Sequence, residues 1–287
     1  MAEAPAIAVL PYGSRLGGDL PHQPLDRLNW PLGRPARLDG GCVGDMGRDD
    51  HLIVYPRTAM HVQPRWGCPA HVSMMVVEPN IMHGRHLRLL RLTHRRFFRV
   101  FSYDREFLGR IPNGIFLPYG TTWVPDWRDL DLTKTAHMSL IASAKRDHPG
   151  HKLRHDMVAM VQAEALDVAV MGRGYTPFET KADGLAPFRF SVVIENVRQQ
   201  NYFSEKLIDA LLCDTVPIYW GCPNIGDFID PAAMVICTTG NEMRNAIRSL
   251  GADDFDRILP ALRAAKETAA TYCDVEARAA RALRASL

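Results

Sequence analysis

Short apolar runs alternate with helix-like segments along most of this chain, and that alternation restricts its fold more than any other feature. The candidate strands are the apolar runs Ala6–Leu10, Leu52–Tyr55, Val72–Val77, Phe98–Ser102, Met138–Ala142, Leu166–Met171, Phe190–Ile194, Val216–Tyr219 and Met234–Cys237. Helical patterns cover Lys152–Ala163, Ser204–Cys213, Glu242–Leu250 and Asp254–Leu283, and we expect the last to break near Pro260. Strand–helix–strand alternation predicts an α/β protein with parallel sheets and helices on both faces.

A segment rich in proline, glycine and polar residues, Pro118–Lys134, is typical of a linker. It predicts an N-terminal domain over residues 1–125 and a C-terminal domain over residues 126–287, each of ordinary domain size. Two α/β domains joined once would place a cleft between them. Ligands of parallel sheets bind beyond the carboxyl ends of the strands.

Composition excludes several classes of protein. Lysine and arginine number 34 against 32 aspartates and glutamates, so an anionic partner has to be bound by a local cluster of cations. The six cysteines contain no Cys-x-x-Cys pair, which argues against a zinc ribbon or a dithiol redox site. No run approaches the roughly 20 apolar residues of a membrane span, and the start, Met1–Pro5, lacks the basic residues of a signal peptide. We therefore expect a cytoplasmic protein.

The segment Phe188–Gly221 carries the clearest chemical pattern. A buried strand ends in Glu195 and Asn196, and after a short loop Ser204 is a good N-cap for an amphipathic helix. Lys206 then lies in the first helical turn, where a cation opposes the helix dipole unless an anion binds there. A phosphate group is the obvious anion, and a surface lysine at a frayed helix start is the alternative.

The same segment resembles the donor-binding signature of the family-10 glycosyltransferases, the α-1,3/α-1,4-fucosyltransferases. The pattern is Glu-Asn, a loop, Tyr-x-Ser-Glu-Lys and VPIYWG, and the similarity extends from Phe188 to Pro231. It continues more weakly upstream, at MSLIASAKRDHPGHKLR (138–154) and VVEPN (76–80). The resemblance implies a GT-B-like fold, in which two Rossmann-like α/β domains have parallel sheets facing a cleft. It also implies that the C-terminal domain binds a GDP-sugar.

The resemblance implies a donor site with particular roles. Its residues are Arg154, Glu195, Asn196, Tyr202, Glu205 and Lys206. Glu205 would accept hydrogen bonds from the ribose, while Lys206 and Arg154 would neutralise the diphosphate. Glu195 and Asn196 would lie close to the sugar. In the intervening loop, Gln199–Asn201 stands where the family frequently has glycine.

Glu78, in the VVEPN segment, matches the family's catalytic carboxylate. It would take the proton from the acceptor hydroxyl in a single inverting displacement, which needs no covalent nucleophile. The implied reaction is fucose transfer from GDP-fucose to a glycan hydroxyl, on a bacterial surface polysaccharide or a lipid-linked glycan. Two alternatives stay open: a GT-B transferase with another nucleotide-sugar, and a non-catalytic nucleotide- or glycan-binding protein.

Five arginines recur at helical spacing ahead of the linker. They are Arg85, Arg88, Arg91, Arg95 and Arg99. Such a stripe predicts peripheral contact with an anionic membrane at its inner face, and a solvated helix face is the alternative. Nucleic-acid binding is not expected, because no reading motif accompanies the arginines.

No metal site is expected from the sequence. His148, His151 and His155 lie near Asp147, but Pro149-Gly150 interrupts their spacing. Asp129-Leu130-Asp131 has the form of a manganese-binding Asp-x-Asp, yet it lies in the linker and not at a strand end. Because basic residues neutralise the diphosphate in GT-B enzymes, we expect that no metal or other cofactor is required.

Overall fold

The computed structural model describes residues 4–14, 20–63 and 67–287. The chain forms two compact units, Gly120–Asp274 and a first unit that combines Met1–Tyr119 with Val275–Leu287. The boundary between Tyr119 and Gly120 therefore differs from the predicted one after residue 125. The C-terminal segment also belongs to the first unit and not to the second.

The first unit contains a parallel sheet whose strands follow one another in chain order, β1-β2-β3-β4-β5. The strands are β1 (Ile7–Val9), β2 (His51–Val54), β3 (His71–Val76), β4 (Val100–Ser102) and β5 (Gly114–Phe116). The helices are α1 (Thr58–Val62), α2 (Asn80–Thr93) and α3 (Arg105–Leu108), together with α8 (Val275–Arg284) at the end of the chain. The sequence prediction missed β5, because its run is too short to stand out from the turn before it.

The second unit contains another parallel sheet, in the order β10-β9-β8-β6-β7. Its strands are β6 (Ala136–Ile141), β7 (Val168–Met171), β8 (Phe188–Ile194), β9 (Val216–Trp220) and β10 (Val235–Ile236). Its helices are α4 (Pro149–Ala163), α5 (Glu205–Leu212), α6 (Gly240–Ser249) and α7 (Ala252–Ala270). The strand order reverses between β6 and β8, and such a switch point opens a crevice at the carboxyl ends of the two strands.

The expected helix break near Pro260 is wrong. Pro260 lies inside α7, and the chain leaves the helix after Ala270. Proline removes one backbone hydrogen bond, but buried residues on both sides of it, Ile258 and Leu262 among them, hold α7 against the core.

Helix α8 packs against the sheet of the first unit. Its Ala279, Ala280 and Leu283 share a buried cluster with residues of β1, β2 and β3. The Arg278 guanidinium donates to the carbonyls of Pro118 and Tyr119 at 2.9 and 3.0 Å. These contacts explain why the last residues belong to the first unit.

The predicted five-arginine stripe is also corrected. Helix α2 ends at Thr93, so only Arg85, Arg88 and Arg91 of the five lie on it, all exposed. Arg99 lies beyond the helix, and its side chain donates to the hydroxyl and carbonyl of Ser286 at 3.1 and 2.9 Å. Among the described residues, no helix combines the length and the apolar character that crossing a membrane requires.

Candidate functional site

Glu195 follows β8 directly and is completely buried. Its carboxylate accepts hydrogen bonds from the Ser204 amide at 2.8 Å and from the Ser204 hydroxyl at 2.6 Å. Burial raises the pKa of Glu195, whereas nearby Lys206 and the bonds from Ser204 oppose the rise. The side chain therefore fixes the start of α5 at the end of β8. The sequence predicted a position close to the sugar for Glu195 but not this structural role.

Lys206 lies in the first turn of α5 and is charged. Its ammonium contacts Glu205 at 2.9 Å, the Ser204 hydroxyl at 3.1 Å and the Glu195 carboxylate at 3.8 Å. Burial disfavours the charge, but Glu205 and Glu195 together hold the pKa of Lys206 above its usual value. Burial likewise opposes ionisation of Glu205, yet Lys206 lowers the pKa of that carboxyl.

Arg154 reaches the same place from helix α4. The side chain is 5% exposed, and its guanidinium donates to the Ile194 carbonyl at the end of β8, at 2.5 Å. Burial lowers the pKa of Arg154, and Glu195 and Glu205 act against that change. The guanidinium is also close enough to Lys206 for its charge to oppose the rise in the pKa of that ammonium. The two cations predicted for the diphosphate thus converge.

The start of α4 is fixed against the end of β8 by a glycine. The Gly150 amide donates to the Asn196 carbonyl at 3.0 Å, and a Cβ atom at Gly150 would lie 1.7 Å from the Glu195 carbonyl oxygen. No side chain fits there without moving backbone. Arg154 follows one turn later on the same helix, so this close approach sets its position.

We expect Gly150→Ala to destabilise the protein by about 2 to 3 kcal/mol, because the new methyl group overpacks against backbone. Urea denaturation of the full chain measures the change. The matched control is Gly84→Ala in α2, where the nearest atom to the new Cβ would be 3.8 Å away. Helix propensity predicts a gain of up to about 1 kcal/mol for that variant, and equal stabilities of the two variants would contradict the close approach.

Lys181 is a third cation at this place, and sequence reasoning missed it. Arg154, Lys181 and Lys206 all line a small cavity of about 20 Å³. Burial lowers the pKa of Lys181 while Asp209 and Glu205 oppose the change. No motif marks this lysine, because it comes from the loop before β8 and only folding brings it to α5.

Two predicted donor residues have structural roles here. The Asn196 side chain lies near His151, and its backbone carbonyl accepts from the Gly150 amide of α4. Tyr202 is 2% exposed and packs inside the unit. Just before it, Asn201 adopts a φ of 58°, a conformation that asparagine tolerates, and it exchanges two 2.8 Å hydrogen bonds with Asn224. The loop therefore does not need glycine.

Glu78 lies in the first unit, just beyond the end of β3. The Tyr103 hydroxyl donates to its backbone carbonyl and to Asn80, both at 3.1 Å. The Tyr12 hydroxyl lies near the Glu78 carboxylate: burial raises the pKa of Tyr12, and the carboxylate adds to the rise. Tyr12 comes from the carboxyl end of β1, and no sequence motif distinguished it.

Residues 133–252 match the family described as "Glycosyltransferase family 10 (fucosyltransferase) C-term". This confirms the resemblance found in the sequence for the segment that holds all six predicted donor residues, from Arg154 to Lys206. Glu78 lies outside the matched residues.

Similar proteins match over short stretches of their length. Alpha-(1,3)-fucosyltransferase FucT of Helicobacter pylori is 35% identical over 57 residues, which are 20% of this chain and 12% of that protein. GDP-fucose protein O-fucosyltransferase 3 of Bos taurus is 33% identical over 86 residues, 27% of this chain and 18% of that protein. The chain thus spans less than a fifth of either relative.

A crystal structure of TarM resembles this chain in fold. The TM-score is 0.55 at 13% sequence identity, and the match covers 83% of this chain and 54% of TarM. The predicted fold class, GT-B-like with two parallel-sheet α/β domains, is confirmed.

Proposed function

We propose, from the match of residues 133–252 to the family-10 fucosyltransferases, that this protein is an inverting glycosyltransferase. It transfers fucose from GDP-fucose to a hydroxyl group of a glycan. The observation that carries the proposal is the convergence of Arg154 and Lys206 at the carboxyl end of β8, inside the matched segment. That edge of the sheet lies at the switch point where nucleotides bind in open α/β sheets.

The cations at this edge suit a diphosphate. The carboxylates of Glu195 and Glu205 lie near Arg154 and Lys206, and those of Asp209 and Glu205 lie near Lys181. A diphosphate would share the ammonium and guanidinium groups with these carboxylates, and each charge-assisted hydrogen bond to it is short and strong. Glu205, at the N-terminus of α5, would accept from the ribose hydroxyls.

The chemistry requires two charge movements. As the acceptor oxygen bonds to the anomeric carbon, the bond from that carbon to the diphosphate oxygen breaks and its electron pair leaves with GDP. Fixed cations at the diphosphate stabilise the developing charge, while a carboxylate, assigned here to Glu78, takes the acceptor's proton. One displacement inverts the anomeric centre. The three side-chain cations supply the charge that a divalent metal would otherwise bring.

Isothermal titration with GDP, UDP and ADP tests the nucleotide site. We expect the protein to bind GDP at least tenfold more tightly than the other two, with EDTA present throughout. Arg154→Ala should abolish this binding, whereas Lys152→Ala, an exposed cation on the same helix, should retain it. Equal affinity for the three nucleotides, or full affinity in Arg154→Ala, would count against the proposal.

Turnover separates the proposed enzyme from its alternatives. Slow hydrolysis of GDP-fucose, compared with other GDP-sugars, reports the donor sugar even when the acceptor is unknown. Binding of GDP with no hydrolysis of any donor would favour the non-catalytic alternative. The cytoplasmic location and the membrane contact through α2 stay predictions.

A further inference from the structure

A polar cavity of about 360 Å³ lies in the first unit, beside the ends of β1 and β2. Its lining residues are Tyr12, Gly13, Tyr55, Pro56, Arg57, Thr58, His83 and His86. Ligand pockets in proteins span about 300 to 1,000 Å³, so the cavity has room for one or two sugar rings. Two tyrosine rings that meet edge to face, 4.9 Å apart, form one wall.

The cavity adjoins the proposed catalytic carboxylate. Burial raises the pKa of the Tyr12 hydroxyl, whose residue is 57% exposed; the nearby Glu78 carboxylate adds to the rise and the nearby Arg57 guanidinium opposes it. Tyr12 therefore lies within reach of both the carboxylate and the guanidinium. A sugar over Tyr12 could present a hydroxyl to Glu78 while another substituent contacts Arg57.

The fixed charge of the cavity wall is positive. Among the described residues that line the cavity, Arg57 alone carries a permanent charge; burial lowers the pKa of His83 to about 4, and it lowers that of His86 as well. Arg85 adds a second cation beside the wall, where it donates to the Thr58 hydroxyl at 2.6 Å. Both histidines are thus neutral near pH 7.

Two carboxylates lie near this wall: Glu78, which is assigned to proton transfer, and Glu276, which lies behind Tyr55 and is already hydrogen-bonded. Glu276 of α8 accepts from the Tyr55 hydroxyl at 2.9 Å and from the Asn29 amide at 2.7 Å. Arg57 donates to the Ser14 carbonyl at 3.2 Å, and no ion pair joins it to a carboxylate among the residues that the structure describes. An exposed guanidinium without a carboxylate partner is free to bind an anionic group.

We propose that this cavity binds the acceptor and selects a glycan that carries an anionic group, a carboxylate, sulfate or phosphate, paired with Arg57. The inference rests on the proposed transferase function and specifies its substrate class. Arg57 fixes the anionic end, the Tyr12 and Tyr55 rings contact the sugar faces, and the reacting hydroxyl points to Glu78. Arg85 strengthens the positive potential at the rim.

Matched glycan pairs test the selection directly. The probes are N-acetyllactosamine and its sulfated form, lactose and sialyllactose, and methyl glucoside and methyl glucuronide, titrated into the full chain with GDP present. In at least one pair the anionic member should bind about fivefold more tightly, the effect of one partly exposed ion pair. Equal affinities within all three pairs, or no binding of any probe, would overturn the inference.

Variants of Arg57 test whether the preference for anionic glycans arises in this cavity. Arg57→Gln should reduce the ratio of affinities to about one, Arg57→Lys should keep most of it, and Arg88→Gln, on the exposed stripe of α2, should leave it unchanged. A preference that survives in Arg57→Gln would overturn the assignment. GDP affinity, measured on each variant, shows that the chain is folded.

The same measurements separate this inference from the proposed function. Anionic preference without GDP binding would contradict the transferase and leave the glycan site standing. GDP binding and donor hydrolysis without anionic preference would leave the transferase standing and contradict the cavity's role.

Discussion

Glu78→Gln is expected to bind GDP with unchanged affinity and to lose about 10²- to 10⁴-fold in the rate of fucose transfer, the usual contribution of a general base. Glutamine keeps the size of the side chain and an oxygen that can accept from Tyr12, but it cannot accept the proton of the acceptor hydroxyl. The measurement is a transfer assay with GDP-fucose and the best acceptor of the glycan titrations, alongside a GDP titration.

The control for this substitution is Glu106→Gln, an exposed carboxylate of α3 that pairs with Arg110. Its transfer rate should match that of the unaltered protein. If Glu78→Gln retained turnover, Glu78 would not be the base and the proposed reaction would need another carboxylate. If Glu78→Gln lost GDP binding as well, its effect would be on the fold and not on proton transfer.

The second large effect is expected when the charge of Lys206 is removed. Lys206→Ala alone leaves the buried carboxylates of Glu205 and Glu195 without their nearest cation, and breaking such a pair costs about 3 to 5 kcal/mol of stability. A double variant, Lys206→Met with Glu205→Gln, removes both charges of the 2.9 Å pair and so lowers that cost, while Glu195 keeps its hydrogen bonds from Ser204. We expect the double variant to fold and to bind GDP at least about tenfold more weakly, since a charge-assisted hydrogen bond contributes about 1.5 to 3 kcal/mol.

The single variant Glu205→Gln distinguishes the effect of losing the Glu205 charge from the effect of losing the Lys206 charge. It keeps the Lys206 cation and should lose less than about tenfold in GDP affinity, the effect of one weakened hydrogen bond to a ribose hydroxyl. Thermal unfolding of each variant establishes that the protein is folded before affinities are compared. A double variant with full GDP affinity would remove Lys206 from the diphosphate site.

Local rules determined much of what the sequence revealed. Apolar runs located every strand except β5, because a buried parallel strand needs apolar residues on both faces. Ser204 marked the start of α5, since its hydroxyl can bond an unpaired amide of the first turn. The Glu-Asn and Tyr-x-Ser-Glu-Lys pattern located the donor segment, and the family match then covered it.

Long-range contacts decided the rest. Arg154, Lys181 and Lys206 are not spaced at any regular interval in the sequence. They converge because β6 and β8 are neighbours in the sheet and because α4 begins against the end of β8. Pro260 did not break α7, because burial on both sides of it compensates for one lost hydrogen bond. Helix α8 belongs to the first unit because its Ala279, Ala280 and Leu283 are buried against that unit's sheet.

The roles of the site residues were likewise determined partly by the sequence and partly by the tertiary structure. The sequence by itself determined which residue types were present for the reaction: cations for a diphosphate, and a carboxylate after a buried strand. Only the tertiary structure decided that the fully buried Glu195 accepts hydrogen bonds from Ser204, and that Glu78 lies near Tyr12 in the wall of a cavity that Arg57 also lines. The physical reason is that burial and ion pairing are set by neighbours far away in the chain, whereas helix caps and strand periodicity are set by residues a few positions apart.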